Sequence, residues 1–240
     1  MGKRSRREKR EEKRDRQALD AAAPQLPTQV RTAPLEPRSE TQKRYIAAIK
    51  SFSLVFGLGP AGTGKTYIAA ALAAQSLQNK QVEKIIITRP AVEAGESLGY
   101  LPGEKEEKYE PWIAPFREVL EERLGKTFVE YLLREGKIEA APFAYMRGRT
   151  FKNCFVILDE AQNATPEQMK LFLTRMGEGA RVVVNGDESQ VDLHGPSGLT
   201  DAVGRLRGLG SVKVIQFSRA DVIRSKLVAE IVEAYESPAR

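Results

Sequence analysis

A single α/β domain built on a doubly wound, mostly parallel sheet is what this 240-residue sequence predicts. Three observations carry that expectation. Strand-like and helix-like segments alternate from about residue 39 to the end of the chain. The strand-like runs, such as Ile85-Ile86-Ile87 and Val182-Val183-Val184, are apolar throughout, as a parallel sheet covered on both faces requires. One of them, Leu54-Val55-Phe56, runs into a glycine-rich turn that opens a helix, the junction at which such sheets bind ligands.

Residues 1–20 hold nine Lys/Arg against five acids, and read as a basic disordered arm. Residues 21–38 contain Pro24, Pro27, Pro34 and Pro37 with little apolar content, the composition of an extended linker. The α/β domain then occupies 39–240. A first helix starts near Ser39 and runs to about Lys50, burying Tyr45, Ile46 and Ile49, with Phe52 just beyond. Strands are expected at 53–57, 84–88, 154–158, 181–185 and 211–217, and a shorter edge pairing at 137–145. Helices are expected at 65–79, 112–123, 127–135, 166–176, 198–207 and 221–236. There is no internal repeat.

Composition narrows the function classes. The single cysteine, Cys154, excludes an internal disulfide framework and a cysteine-based metal site, and reads as a small buried hydrophobe. The single histidine, His194, excludes a histidine metal cluster. The apolar helical stretch 67–74 is far too short to span a bilayer, and the basic N-terminus lacks the apolar core of a signal peptide. The expectation is a cytoplasmic protein with no membrane partner. The formal net charge is +6, of which the first 20 residues carry +4. A basic arm on a nearly neutral body suits electrostatic attachment to nucleic acid, and equally a solvated tail.

The turn after the first strand is Gly59-Pro60-Ala61-Gly62-Thr63-Gly64-Lys65-Thr66, which matches GxxxxGK[ST] in the strand–turn–helix context that gives the pattern meaning. Its backbone N–H groups and the helix N-terminus suit phosphate oxygens; Lys65 suits the β- and γ-phosphates and Thr66 a Mg²⁺ ion. A second signal is Phe155-Val156-Ile157-Leu158-Asp159-Glu160-Ala161-Gln162, a buried strand delivering two carboxylates to the sheet's C-terminal edge. Asp159 is the candidate metal ligand and Glu160 the candidate group that positions and polarises an attacking water. The third is Val182-Val183-Val184-Asn185-Gly186-Asp187-Glu188-Ser189-Gln190. Here Asn185, Asp187 or Gln190 are candidates to contact the γ-phosphate or the water; an Asn-Gly-Asp turn closing a strand is the plainer alternative. Trp112, Phe116 and Leu120 fall at helical spacing and read as core.

With these motifs the chain resembles the PhoH family of P-loop ATPases, whose core is similar to the first motor domain of superfamily-one helicases. The resemblance covers 39–240 and extends to Thr88-Arg89-Pro90-Ala91-Val92-Glu93-Ala94-Gly95-Glu96, Leu98-Gly99-Tyr100-Leu101-Pro102-Gly103, Met146-Arg147-Gly148-Arg149-Thr150-Phe151 and Asp221-Val222-Ile223-Arg224. It implies a RecA-like P-loop fold and ATP and Mg²⁺ as cofactors. It also implies Gln42 as a reader of the adenine edge, against an ordinary exposed helix glutamine. Arg147 and Arg149 are implied to face phosphate or a bound strand, against a solvated basic turn. Arg224 is implied as an arginine finger, against a salt-bridging helix residue; Ser225 stands where many members carry a histidine. Thr88 and Arg89 become candidate strand contacts, although the acidic segment that follows suits a subunit-contacting loop as well.

The function so implied is Mg²⁺-dependent ATP hydrolysis, with Glu160, Lys65, Arg224 and Gln190 as catalytic candidates, coupled to RNA or single-stranded DNA. With one motor domain, strand movement calls for a homo-oligomer, a hexamer being one candidate, with Arg224 reaching across an interface. A nucleotide-controlled binding module with little turnover is the alternative. A small-molecule kinase suits the Asp159-Glu160 pair less well, and no acidic cluster for a nuclease metal site stands out.

Overall fold

Short strands, largely apolar at the centre of the sheet, and alanine-rich or amphipathic helices assemble here because each central strand must be covered twice and each helix once. The computed structural model describes residues 33–90, 105–141, 143–146, 148–192 and 195–223, which belong to one compact unit beginning at Ala33. The chain runs α1 (Glu40–Ser51), β1 (Leu54–Leu58), α2 (Lys65–Gln78), β2 (Lys84–Thr88), α3 (Lys105–Leu124), α4 (Lys126–Arg134) and β3 (Ile138–Ala140). It continues through β4 (Cys154–Leu158), α5 (Pro166–Leu173), β5 (Arg181–Gly186), α6 (Gly198–Leu206) and β6 (Val212–Gln216). Short 3₁₀ turns lie at Phe143–Met146, Ala161–Asn163 and Arg219–Asp221.

Among the described residues the sheet has six strands in the order β3-β2-β4-β5-β1-β6, and every pairing is parallel. Alternate residues of each strand feed two cores. Val55, Ile85, Ile87, Phe155, Ile157 and Val183 pack with α1, α2, α3 and α4 on one face. Phe56, Leu58, Ile86, Val156, Leu158 and Val184 pack with α5 and α6 on the other. The run Ala69–Ala74 in α2 is buried throughout, and its small side chains let the helix lie close to the sheet. Capping explains where several helices begin. Ser39 accepts from the Gln42 N–H at 3.2 Å, and Thr165 and Gln168 form a reciprocal capping box ahead of Pro166.

Register is what matters for the site. Leu58 pairs with Gly186, Leu158 with Val184, and Thr88 with Leu158. The strand ends of β1, β2, β4 and β5 are therefore level, and the segments that leave them share one rim, with β5 lying between β1 and β4.

The fold is α/β and single-domain in its P-loop core, and wholly rather than mostly parallel. Several expected boundaries move. α3 begins at Lys105, not 112, with Pro111 and Pro115 inside it; each proline removes a helix donor, so the sequence pattern understates the helix there. α5 stops at Leu173, not 176, because Met176 pairs with Phe151 as an isolated parallel bridge. The edge pairing expected over 137–145 is a three-residue strand, followed by a 3₁₀ turn. The arm 1–20, the linker up to Thr32, Arg147, His194, the Trp112 side chain, Arg224 and the helix expected from 221 to 236 lie outside the described residues, apart from the 3₁₀ turn ending at Asp221.

Candidate active site

The glycine loop leaves β1 at Gly59, and backbone geometry dictates its composition. Gly59 adopts φ 129°, and a Cβ there would stand 2.4 Å from the Phe217 carbonyl oxygen, so no side chain fits. Gly64 caps α2 in the left-handed region. The loop is gripped from two sides: Gln42 Nε2 donates to the Thr63 carbonyl at 2.9 Å, and the Ile223 N–H donates to the Gly62 carbonyl at 3.0 Å. Asp221 ties these flanks together by accepting from Ser39 Oγ at 2.8 Å and from the Ser218 N–H at 2.9 Å. Burial works to raise the Asp221 carboxyl, but the donors from Ser218, Ser39 and Thr41 outweigh it and hold it below the ordinary range.

Lys65 opens α2, and only 8% of its surface is exposed. Its Nζ donates to the carbonyls of Gly59 at 2.6 Å and Pro60 at 2.8 Å, and to Thr63 Oγ1 at 3.3 Å. Burial lowers the pKa of this ammonium, while the nearby charges of Asp187, Asp159 and Glu160 work to raise it. Thr66, one residue on, places Oγ1 3.3 Å from Asp159 Oδ1 and 3.4 Å from Oδ2.

Asp159, at the end of β4, is buried, and its Oδ2 accepts from Arg89 Nη2 at 2.7 Å. Burial pushes its carboxyl up, Arg89 pulls it back, and neighbouring Glu160 pushes it up again; the balance is upward. Glu160 sits at φ 53°, in the left-handed region that a non-glycine residue occupies at a cost of about 1–3 kcal/mol. Its Oε2 accepts from Gln162 Nε2 at 2.7 Å. At the end of β5, Asn185 is fully buried and accepts from the Tyr45 hydroxyl at 2.5 Å. Burial, then the charge of Asp159, pushes the Tyr45 phenol well above its ordinary value. Asp187 Oδ1 accepts from the Ser189 N–H and hydroxyl, while its buried Oδ2 has no partner among the described residues.

These groups enclose a cavity of about 280 Å³ lined by 61–67, Asp159, Glu160, Gly186, Asp187 and Gln190. The donor set fits Mg²⁺: a threonine hydroxyl and a carboxylate are hard oxygen ligands, and they already converge within hydrogen-bonding distance. No cluster of three or more His, Cys, Asp or Glu able to hold a metal occurs among the described residues. Mg²⁺ sites in general need only one or two protein oxygens to complete a shell of phosphate oxygens and waters.

The family profile described as "PhoH-like protein" matches residues 34–236. The chain belongs to the PhoH family. That family is P-loop ATPase-like. A "PhoH-like protein" of Bacillus subtilis strain 168 is 52% identical over 197 residues, covering 81% of this chain and 62% of the relative. A "PhoH-like protein" of Mycobacterium tuberculosis strain H37Rv is 51% identical over 203 residues, covering 84% and 58%. "Protein PhoH" of Escherichia coli K12 is 50% identical over 208 residues, covering 85% and 59%. The chain thus spans about six-tenths of the length of the curated relatives it matches. No helix among the described residues is long and apolar enough to cross a membrane.

On this PhoH scaffold Lys65, Thr66, Asp159, Glu160, Asp187 and Gln190 lie around the one cavity. Gln42 is buried rather than exposed, and its Oε1 accepts from the Arg38 N–H at 2.8 Å while its Nε2 serves Thr63. Contact with an adenine edge requires that amide to share or leave those partners. Thr88 is fully buried, so it is not available to a bound strand. Arg89 is committed to Asp159 and lies 5.6 Å over the Phe116 ring. Gln162 and Asn163, which have no role in the motif, bridge to the β5 loop.

Arg149 does not face the cavity lining either: its guanidinium forks onto both carboxylate oxygens of Glu139, which also pairs with Lys84 at 2.8 Å. Burial works to raise the Glu139 carboxyl, but bonds from Arg149 and Lys84 and their charges hold it at about 2 against an ordinary 4.5. With the folded value below the unfolded one, the stabilisation is complete above about pH 4.5 and fades as pH falls towards about 2. Glu139→Gln should therefore lower the urea midpoint at neutral pH, with the gap to wild type narrowing across that acid window. A gap that stayed constant with pH would remove the ion-pair explanation.

Proposed function

We propose that this chain is a Mg²⁺-dependent ATPase whose turnover is coupled to RNA or single-stranded DNA in a homo-oligomer. The observation that supports it most is the convergence of Thr66 and Asp159 within 3.3 Å on the rim that also carries Lys65 and Glu160. In this reading the loop amides and Lys65 hold the β- and γ-phosphates, and Thr66 and Asp159 hold the metal, which when bound neutralises phosphate charge. Glu160 accepts a proton from the attacking water. The water oxygen bonds to the γ-phosphorus as the bond to the β,γ-bridging oxygen breaks, and ADP departs. Gln190 and Asp187 face the γ-phosphate, Gln42 the adenine side, and Arg224 supplies a finger from the same or a neighbouring subunit.

One observation favours the alternative of a nucleotide-controlled binding module with little turnover. Arg89 occupies the carboxylate that the metal needs, and Lys65 is bonded to loop carbonyls. Steady-state phosphate release with and without single-stranded RNA separates the two, read beside native mass and repeated on chain lacking residues 1–20. Marked stimulation by RNA supports the coupled ATPase. Tight ATP binding with negligible release under every condition supports the module, and no ATP binding at all sinks both.

A further inference from the structure

Gln162 lies in the 3₁₀ turn that follows the two acids, and 1% of its surface is exposed. Its side chain makes two bonds in opposite directions. Oε1 accepts from the Asp187 backbone N–H at 3.0 Å, and Nε2 donates to Glu160 Oε2 at 2.7 Å. The orientation of the amide follows from chemistry alone: a backbone N–H can only donate, so the oxygen must face Asp187 and the NH₂ must face the carboxylate. The rest of the residue is equally fixed. Its backbone carbonyl accepts from Ser197 Oγ at 2.9 Å. Gly186 packs so closely that a Cβ there would stand 2.9 Å from Gln162 Oε1 and 2.4 Å from Leu199 Cδ2.

Asn163 repeats the arrangement one residue later. Its Oδ1 accepts from the Asp192 N–H at 3.0 Å, and its Nδ2 donates to the Asp192 carboxylate at 3.4 Å. Adjacent amides thus staple both ends of the segment 187–192, which contains Gln190, to the turn that carries Glu160. Glu160 itself holds a left-handed backbone that its own residue type disfavours.

We propose that Gln162 is a positioning residue: it fixes the Glu160 carboxylate for proton transfer and locks that placement to the Asp187–Asp192 loop. It touches neither phosphate nor water, and acts through Glu160. The inference rests on the proposed role of Glu160, and its test keeps the two apart.

Gln162→Met preserves length and removes both bonds. Gln162→Glu keeps an acceptor for the Asp187 N–H but sets a like charge against Glu160. Both are measured in the full-length chain, alone and in the Glu160→Gln background, by single-turnover phosphate release from ATP and by binding of a fluorescent ATP analogue with Mg²⁺. The expected result is a loss of about 10–10²-fold in the rate of release, the scale for a misplaced reacting group. Analogue affinity should change by less than about 3-fold, since the loop amides and Lys65, proposed to hold the β- and γ-phosphates, are untouched. In the Glu160→Gln background the further loss should shrink to under about 2-fold, because two residues acting as one unit are not additive.

Either variant keeping wild-type release while Glu160→Gln is slow overturns the inference and leaves the base intact. So does an equal loss in both backgrounds, which assigns Gln162 a role independent of Glu160. Wild-type release from Glu160→Gln itself overturns the base, and the inference with it. Should Gln162→Met fail to bind the analogue, Gln162→Glu, which retains the loop bond, decides the matter.

Discussion

Glu160→Gln leaves nucleotide bound and slows phosphate release by about 10²-fold or more, the typical contribution of a positioned general base. The substitution is nearly isosteric, so the left-handed backbone at φ 53° and the packing of the turn survive it. What changes is chemistry. A carboxylate that accepts from Gln162 Nε2 at 2.7 Å can also accept a proton from water; a carboxamide cannot take that proton. Binding should hold because Glu160 is exposed at the cavity wall, whereas the 59–66 loop supplies the proposed contacts that hold the β- and γ-phosphates. Rapid-quench phosphate release beside equilibrium binding checks both halves. Normal turnover removes Glu160 from the chemistry.

Lys65→Ala should have the second large effect, lowering kcat/KM for ATP by at least about 10²–10³-fold, the scale for losing a preorganised charge-stabilising donor. The ammonium is buried beside Asp187, Asp159 and Glu160, and burial is what lowers its pKa. Removing it leaves three carboxylates facing an incoming triphosphate with no opposing charge from α2. It also frees the carbonyls of Gly59 and Pro60, which Lys65 now bonds. The loss should therefore appear in binding as well as in rate, unlike that of Glu160→Gln. Equilibrium binding of ATP with Mg²⁺ reads the difference, and unchanged affinity and turnover would place the phosphates elsewhere.

The strands were legible because a doubly covered strand has no polar alternation to mislead the reader, and Ile85–Ile87 and Val182–Val184 sit where expected. The glycine loop was legible because its spacing encodes backbone geometry, down to the positive φ of Gly59, Gly62 and Gly64. Asp159 and Glu160 were legible as acids ending an apolar run. What escaped was every pairing set by register. Nothing local to Arg89 announces Asp159, which stands opposite only because β2 and β4 are neighbours and Thr88 pairs with Leu158. Gln162 carries no local sign of its role, since its second partner is a backbone N–H 25 residues on. The one available signal was an amide two residues past an acid, at the point where a buried strand ends. Arg149, expected to face phosphate or a bound strand, pairs instead with Glu139, which lies on a three-residue strand that carries little sequence signature.

The strand that launches the glycine loop takes both of its neighbours from the far end of the chain: Leu54 lies beside Val182 on one flank and Val212 on the other. A ribosome releasing this protein has long since extruded β1 before either companion exists. Until then the backbone edges of Leu54, Val55 and Phe56 lack their native strand partners, a situation that favours self-association. The glycine loop should thus be among the last parts to assemble during synthesis, and folding should be slow for the domain's size because its decisive contacts span so much sequence.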